Sequence, residues 1–102
     1  MEKETRISVE QCCSYYSIEI AFVQQLDEHG LIELDRSGEE TFIAFEQLPD
    51  LERYMRLHYE LEINMAGIEA ITHLLNRVEG LQQELKRLQV EIEGSGGRQH
   101  AN

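Results

Sequence analysis

The sequence predicts a mainly α-helical fold: a helix-turn-helix carrying a small β-hairpin wing, followed by a long C-terminal helix of coiled-coil type. Three observations lead there. Apolar residues recur at helical spacing from Val9 to Leu26 and stop at Gly30. The period then changes to two short β-rich runs around a polar turn containing Gly38. Finally, aliphatic residues alternate three and four apart from Ile71 to Ile92. Apolar period separates helix from strand because side chains repeat every 3.6 residues in one and every two in the other.

The elements follow in chain order. Residues 1–6 are mostly charged, predicting a flexible N-terminus, and a winged helix-turn-helix core spans 7–62. Ser8 is a candidate N-cap, and Val9, Cys12, Cys13 and Tyr16 make the inner face of a short first helix. Ser17 reads as the cap of a second helix with Ile18, Phe22, Val23 and Leu26 as its stripe; Gly30 closes it with a left-handed residue. Two helices joined so closely form a helix-turn-helix. Leu31, Ile32 and Leu34, the turn Asp35–Glu40, and then Thr41, Phe42, Ile43 and Phe45 read as the hairpin wing. Pro49 fits the first turn of a third helix that Leu51, Tyr54, Met55, Leu57, His58 and Leu61 carry to about Glu62. Asn64 is placed to cap the fourth, assigned to 63–93, and the Gly/Ser-rich stretch 94–102 is expected to be a flexible tail.

The fourth helix carries the clearest pattern. Ile71, Val78, Leu85 and Ile92 occupy one core position of a heptad, and Leu74, Leu81 and Leu88 the other. At 1.5 Å per residue this segment runs to roughly 40 Å, too long to be covered by the first half of the chain. The seam therefore predicts a dimerisation helix. Its Ile/Val-versus-Leu division favours a parallel pair, yet in that arrangement Arg77, Glu84 and Glu91 meet only Gln82 and Gln89. Gly80 lies off the seam.

Composition narrows the function. Nine basic against twenty acidic residues leave a formal charge of −11. DNA is bound by neutralising phosphates with Lys and Arg, so this balance opposes it and favours a basic protein surface. No apolar run approaches the ~20 residues of a membrane span, and no charged-then-apolar leader opens the chain. Cys12 and Cys13 are adjacent, a poor geometry for a mutual disulfide, and act as packing residues. The expected compartment is the cytoplasm. His29, His58, His73 and His100 are scattered without metal-ligand spacing, and His58 with Glu62 reads as a surface polar pair. Tyr15 and Tyr16 are expected to put one ring inward, and Tyr54 and Tyr59 to be partly exposed. No phosphate loop, catalytic triad or CxxC is visible, so neither an enzyme nor a bound cofactor or metal is expected.

At the level of whole segments the chain resembles a known family. The helix exit DEHGLIEL, the wing TFIAF, the run RLHYEL at Arg56–Leu61 and GIEAI at Gly67–Ile71 look like a MerR-like winged helix-turn-helix. Within that group they look most like the CbpM-type chaperone modulators, over roughly residues 7–92. The resemblance implies a small protein that binds the J domain of a DnaJ-like co-chaperone and restrains its action on Hsp70. It also implies antiparallel pairing of the last helices in a homodimer.

A DNA-reading member would be expected to carry arginines on its second helix and wing. Here Ile18–His29 holds no Lys or Arg, and the wing offers only Arg36. J domains resembling those of DnaJ present a basic helix, to which an acidic face would be complementary. The candidate partner-binding residues are accordingly Gln24, Gln25, Asp27 and Glu28 with Glu39 and Glu40 of the wing tip, beside an exposed apolar residue still to be found. The alternatives are a MerR-type DNA-binding regulator, with Arg53 and Arg56 building a basic patch, and a scaffold whose last helix recruits an unrelated helix.

Overall fold

The computed structural model describes residues 5–95. The chain divides into two compact units, one ending at Glu69 and the other starting at Ala70. The first contains β1 (Arg6–Ser8), α1 (Val9–Tyr16), α2 (Ile20–Glu28), β2 (Leu34–Asp35), β3 (Phe42–Ala44) and α3 (Leu48–Met55). A 3₁₀ turn at Phe45–Gln47 precedes α3, and a π-helical turn at Arg56–Glu60 extends it. The long helix α4 (Met65–Ser95) supplies its first turn to this unit and its remainder to the second.

The wing has a strand that periodicity did not announce. β3 is the centre of a three-stranded antiparallel sheet, with β2 on one side and β1 on the other. Arg6 pairs with Ala44 and Ile7 with Ile43, while Leu34 meets Ile43 from the other edge. Directly opposed residues share a face, so Ile7, Ile43 and Leu34 line one side, where Ile43 and Leu34 are buried. On the other side the Arg6 guanidinium lies 3.9 Å from the centre of the Phe42 ring and pairs with Asp35. Arg6 is therefore part of the sheet and not of a frayed end. Its charge made it look like a terminus, and only the pairing with β3 gives it a place.

Ser8 caps α1, its hydroxyl accepting from the Gln11 N–H at 3.1 Å. Ser17 does not open α2 but closes α1: it takes a left-handed φ of 58°, and the Ile18 N–H donates to the Cys13 carbonyl at 3.0 Å. This is the Schellman arrangement with serine where glycine is usual. The residue before α2 is Glu19, which makes no side-chain cap. The exit of α2 uses the same device with glycine: Gly30 has φ 73°, its N–H donates to Asp27 and that of Leu31 to Leu26.

The core gathers Val9, Cys12 and Cys13 from α1, Phe22, Val23 and Leu26 from α2, Ile32, Leu34 and Ile43 from the wing, and Leu51, Tyr54 and Ile68. Tyr54, expected partly exposed, is buried at 3% exposure and donates its hydroxyl to the Leu31 carbonyl at 3.0 Å. It sits one turn after Leu51 on the inner face of α3, so the ring is core. Tyr15 and Tyr16 divide as expected, Tyr15 exposed and Tyr16 half-buried.

The third helix does not run regularly to Glu62. The π-helical turn widens the helix by one residue, with Leu61 N–H reaching Arg56 at 3.2 Å, and Glu62 then turns left-handed at φ 56°. Leu61 is thereby swung outward and left 64% exposed. His58 does not face Glu62. It stacks on Phe22 at 4.8 Å and its Nδ1 lies 3.1 Å from the Ile63 carbonyl. Asn64 caps α4, its side chain accepting from Gly67 N–H at 2.8 Å. Gly67 has no room for more: a Cβ there would stand 2.6 Å from Ile63 Cγ2.

In the second unit α4 is amphipathic and its seam faces outward. Leu74, Val78, Leu81, Leu85, Leu88 and Ile92 are each more than 40% exposed. Ile71 is half-buried. Arg87 pairs with Glu84 and Glu91 along the helix. Among the described residues, no helix is long and apolar enough to cross a membrane. The expected tail begins within α4, and its residues 96–102 lie outside the described residues.

Candidate functional site

Two side-chain clasps hold the wing, one to α2 and one to the start of α3. Asp27, in the last turn of α2, points inward with its side chain 16% exposed. One carboxylate oxygen accepts from the Leu34 N–H at 3.2 Å and the other holds Arg36 Nη2 at 2.7 Å. A second clasp joins the wing to the start of α3: Gln47 accepts from the Glu33 N–H and donates to the Glu33 carbonyl, both at 2.8 Å. The wing is thus held at both sides by side chains bonding backbone groups that a two-residue strand leaves free.

Between α1, α2 and the wing lies a cleft of about 300 Å³. Glu10 from the first turn of α1, Gln24 from α2, and Glu39 and Glu40 from the wing tip line it together with Arg36. Ile20, the first residue of α2, also lines it and is 42% exposed. The cleft therefore presents an apolar side chain among three carboxylates and one arginine, and that arginine is bound to Asp27. Such a surface suits a partner offering an aliphatic group flanked by positive charge, because the apolar contact anchors while the rim charges orient.

Of the sequence-predicted residues, Gln24, Glu39 and Glu40 come together in this cleft. Gln25 and Glu28 are exposed but do not line it, since Gln25 is turned about 100° round the helix from Gln24 and Glu28 lies a full turn beyond. Asp27 is spent on holding the wing. Ile20 and Glu10 were not among the candidates. Ile20 had a readable signal, because it stands off the stripe of Phe22, Val23 and Leu26, and an apolar residue off its helix's buried face is an exposed one. Glu10 had none, since only the fold brings α1 to the wing tip.

The surface around α3 is less one-sided. A second cleft of about 520 Å³ is lined by Tyr16, Glu52, Met55, Arg56, Tyr59 and Glu60. The Tyr16 hydroxyl donates to Glu52 at 2.8 Å, and burial followed by this carboxylate pushes it up to about 12. Arg56 shares that cleft with two glutamates, while Arg53 is half-buried, so the pair makes no basic stripe. The thiols of Cys12 and Cys13 are buried and free; burial raises both, Cys12 to about 11. Among the described residues no group of His, Cys, Asp and Glu is placed to hold a metal ion.

The helix-turn-helix, the wing and the long following helix agree with a comparison of the sequence to known families. The family described as "MerR HTH family regulatory protein" matches residues 7–90. The chain belongs to the MerR helix-turn-helix family. Two relatives place it more closely within the MerR-like proteins. The "Chaperone modulatory protein CbpM" of Pseudomonas putida (strain W619) is 28% identical over 88 residues, 85% of this chain and 87% of that protein. The protein of the same name from Pseudomonas entomophila (strain L48) is 26% identical over the same shares. These matches support a CbpM-type member of the MerR-like group. No solved structure matches the chain significantly.

Proposed function

We propose that this protein is a non-enzymatic chaperone modulator of the cytoplasm. In this reading it is a homodimer that binds the J domain of a DnaJ-like co-chaperone and so restrains its action on Hsp70. The observation that carries the reading is the cleft in which Glu10, Glu39 and Glu40 surround the exposed Ile20. The names of its CbpM relatives support a chaperone-modulating role. A basic helix approaching the cleft is drawn by the carboxylates, which raise the encounter rate, and is retained by an aliphatic side chain set against Ile20. The excess of acid over base in the whole chain favours the same class of partner.

Calorimetric titration with the cognate J domain at low and moderate salt tests the reading. Binding should weaken as salt rises. The I20A variant should lose about tenfold in affinity with its salt dependence intact, whereas E39K/E40K should flatten the salt dependence. Absence of binding at either salt would refute the proposal.

The family match keeps one second reading in view, a MerR-type DNA-binding regulator. Against it stand an α2 without Lys or Arg and a wing sheet whose two arginines are each paired with a carboxylate, Arg36 with Asp27 and Arg6 with Asp35. Fluorescence anisotropy with duplex DNA at low salt should show no binding in the micromolar range.

A further inference from the structure

Among the described residues, the two non-glycine residues with left-handed φ and the π-helical turn all lie on or next to one cleft, between the end of α1 and α3. Ser17, at φ 58°, lines it. The π-helical turn supplies Arg56, Tyr59 and Glu60, and Glu62, at φ 56°, follows two residues later. Non-glycine residues hold such a conformation only where their surroundings impose it, and π turns and local strain recur at functional sites. The irregular backbone has a chemical consequence as well. Arg56 and Glu60 stand four apart, the spacing at which a regular helix pairs opposite charges. Here neither makes an ion pair with any described residue. Across the cleft, Glu52 accepts one hydrogen bond from the Tyr16 hydroxyl and makes no ion pair either. The Tyr59 ring is held 5.2 Å from Phe22 and 4.8 Å from His58, yet the residue is 45% exposed. Tyr16 is braced by Tyr15 at 5.0 Å. Both rings are thus fixed before any partner arrives, which lowers the entropy cost of a contact.

We propose that this cleft is a second protein-docking surface, taking an arginine side chain from a basic segment of a partner protein. A guanidinium is planar, stacks on aromatic rings and offers forked donors to carboxylates. Tyr59 supplies the ring, Glu60 and Glu52 supply the carboxylates, and the half-buried Met55 supplies apolar contact for the methylene stem. Two carboxylates against the guanidinium of Arg56 leave one negative charge, which one incoming arginine neutralises. A second copy of this chain, at a formal charge of −11, and a nucleic acid are both opposed by the same field. The surface is separate from the acidic cleft at the wing, and the inference does not rest on the co-chaperone reading.

The test is a titration of the full chain, labelled with nitrogen-15, with the peptide acetyl-Gly-Arg-Leu-Gly-amide, followed by amide NMR. The amides of Ser17, Tyr59 and Glu60 should shift and saturate with a Kd of about 1 mM, the weak range expected of so short a probe. The peptide with lysine in place of arginine should bind more weakly, and that with glutamate should not bind. E60K, a change at an exposed side chain, should weaken binding about tenfold, and Y59L about threefold. The Tyr59 ring also packs on Phe22, so E60K is decisive if Y59L disturbs the fold. I20A should leave the peptide affinity unchanged. Shifts that spread over the acidic surface without saturating, equal binding of the glutamate peptide, or an E60K protein that binds like the original would each overturn the proposal. So would a loss of peptide binding in I20A, which would move the contact to the wing cleft. A J domain that fails to bind a protein behaving as described would count only against the co-chaperone reading.

Discussion

Replacing Asp27 by alanine and by asparagine separates what this side chain does for the fold from what its charge does for a partner. The side chain makes two bonds of unequal worth. The Arg36 pair joins a guanidinium 56% exposed to a carboxylate 16% exposed, and solvent screening holds such a pair to about 0.5 kcal/mol. The bond from the Leu34 N–H is different, because Leu34 is buried and loss of the acceptor strands a donor away from water, which costs about 1–3 kcal/mol. D27A should therefore destabilise the protein by about 2 kcal/mol, a fall in Tm of about 10 °C for a domain of this size. D27N keeps a carbonyl oxygen at the same place, loses only the charge, and should fall by about 3 °C. Thermal unfolding followed by circular dichroism at one fixed protein concentration reads both, since a dimer's Tm moves with concentration. D27N should also leave J-domain affinity within about threefold, because its change is internal. Equal Tm losses for the two variants, or a D27A protein as stable as the original, would refute the assignment of Asp27 as the strut of the wing.

Two glycines on α4 should respond in opposite directions to alanine: G67A should unfold at lower temperature because its Cβ would sit 2.6 Å from Ile63, whereas G80A, which meets nothing within 4 Å, should gain up to about 1 kcal/mol of helix propensity. Neither cysteine should react with iodoacetamide at pH 8 while the protein is folded, since both are buried and burial pushes Cys12 to about 11; mass spectrometry should find both alkylated once urea unfolds the chain. The Asp35 carboxyl should titrate below the usual carboxylate range by carbon NMR. The cause is first the Ser37 backbone N–H, donating at 3.0 Å, then the Ser37 side chain, with Arg6 adding to it. A lowered value in the folded state means that this contribution is present above the unfolded value near 3.9 and is lost as pH falls through the folded one. D35N should accordingly make stability less sensitive to acid below about pH 4.

Much of the fold was legible because it rests on local rules. The cap at Ser8, the glycine exit of α2, Pro49 in the first turn of α3 and the Asn64 cap each involve residues within one turn of each other, and a short stretch of sequence contains all that decides them. The errors fell where two local rules compete or where a distant segment intervenes. Ser17 satisfies the rule for an N-cap as well as for a left-handed exit, and the geometry between Cys13 and Ile18 chose the second. His58 and Glu62 share a face only if the helix stays regular, and the π-helical turn between them removes that condition. Arg6 looked terminal until β3 gave it a neighbour.

The candidate site divides in the same way. Polarity anticipated that Gln24, Glu39 and Glu40 are exposed, because polar residues off the apolar stripe of a helix and at a wing tip have few places to go but outward. Composition also opposed nucleic acid, and the heptad spacing alone marked α4 as a helix in need of a partner. Which residues share the cleft was beyond it. Asp27 is a strut and Glu10 a wall because α1, α2 and the wing converge there, and convergence depends on contacts between residues tens of positions apart. A linear pattern records which face of an element is apolar; it holds no distance between elements, and that distance is what gathers scattered carboxylates and one stray isoleucine into a single cleft.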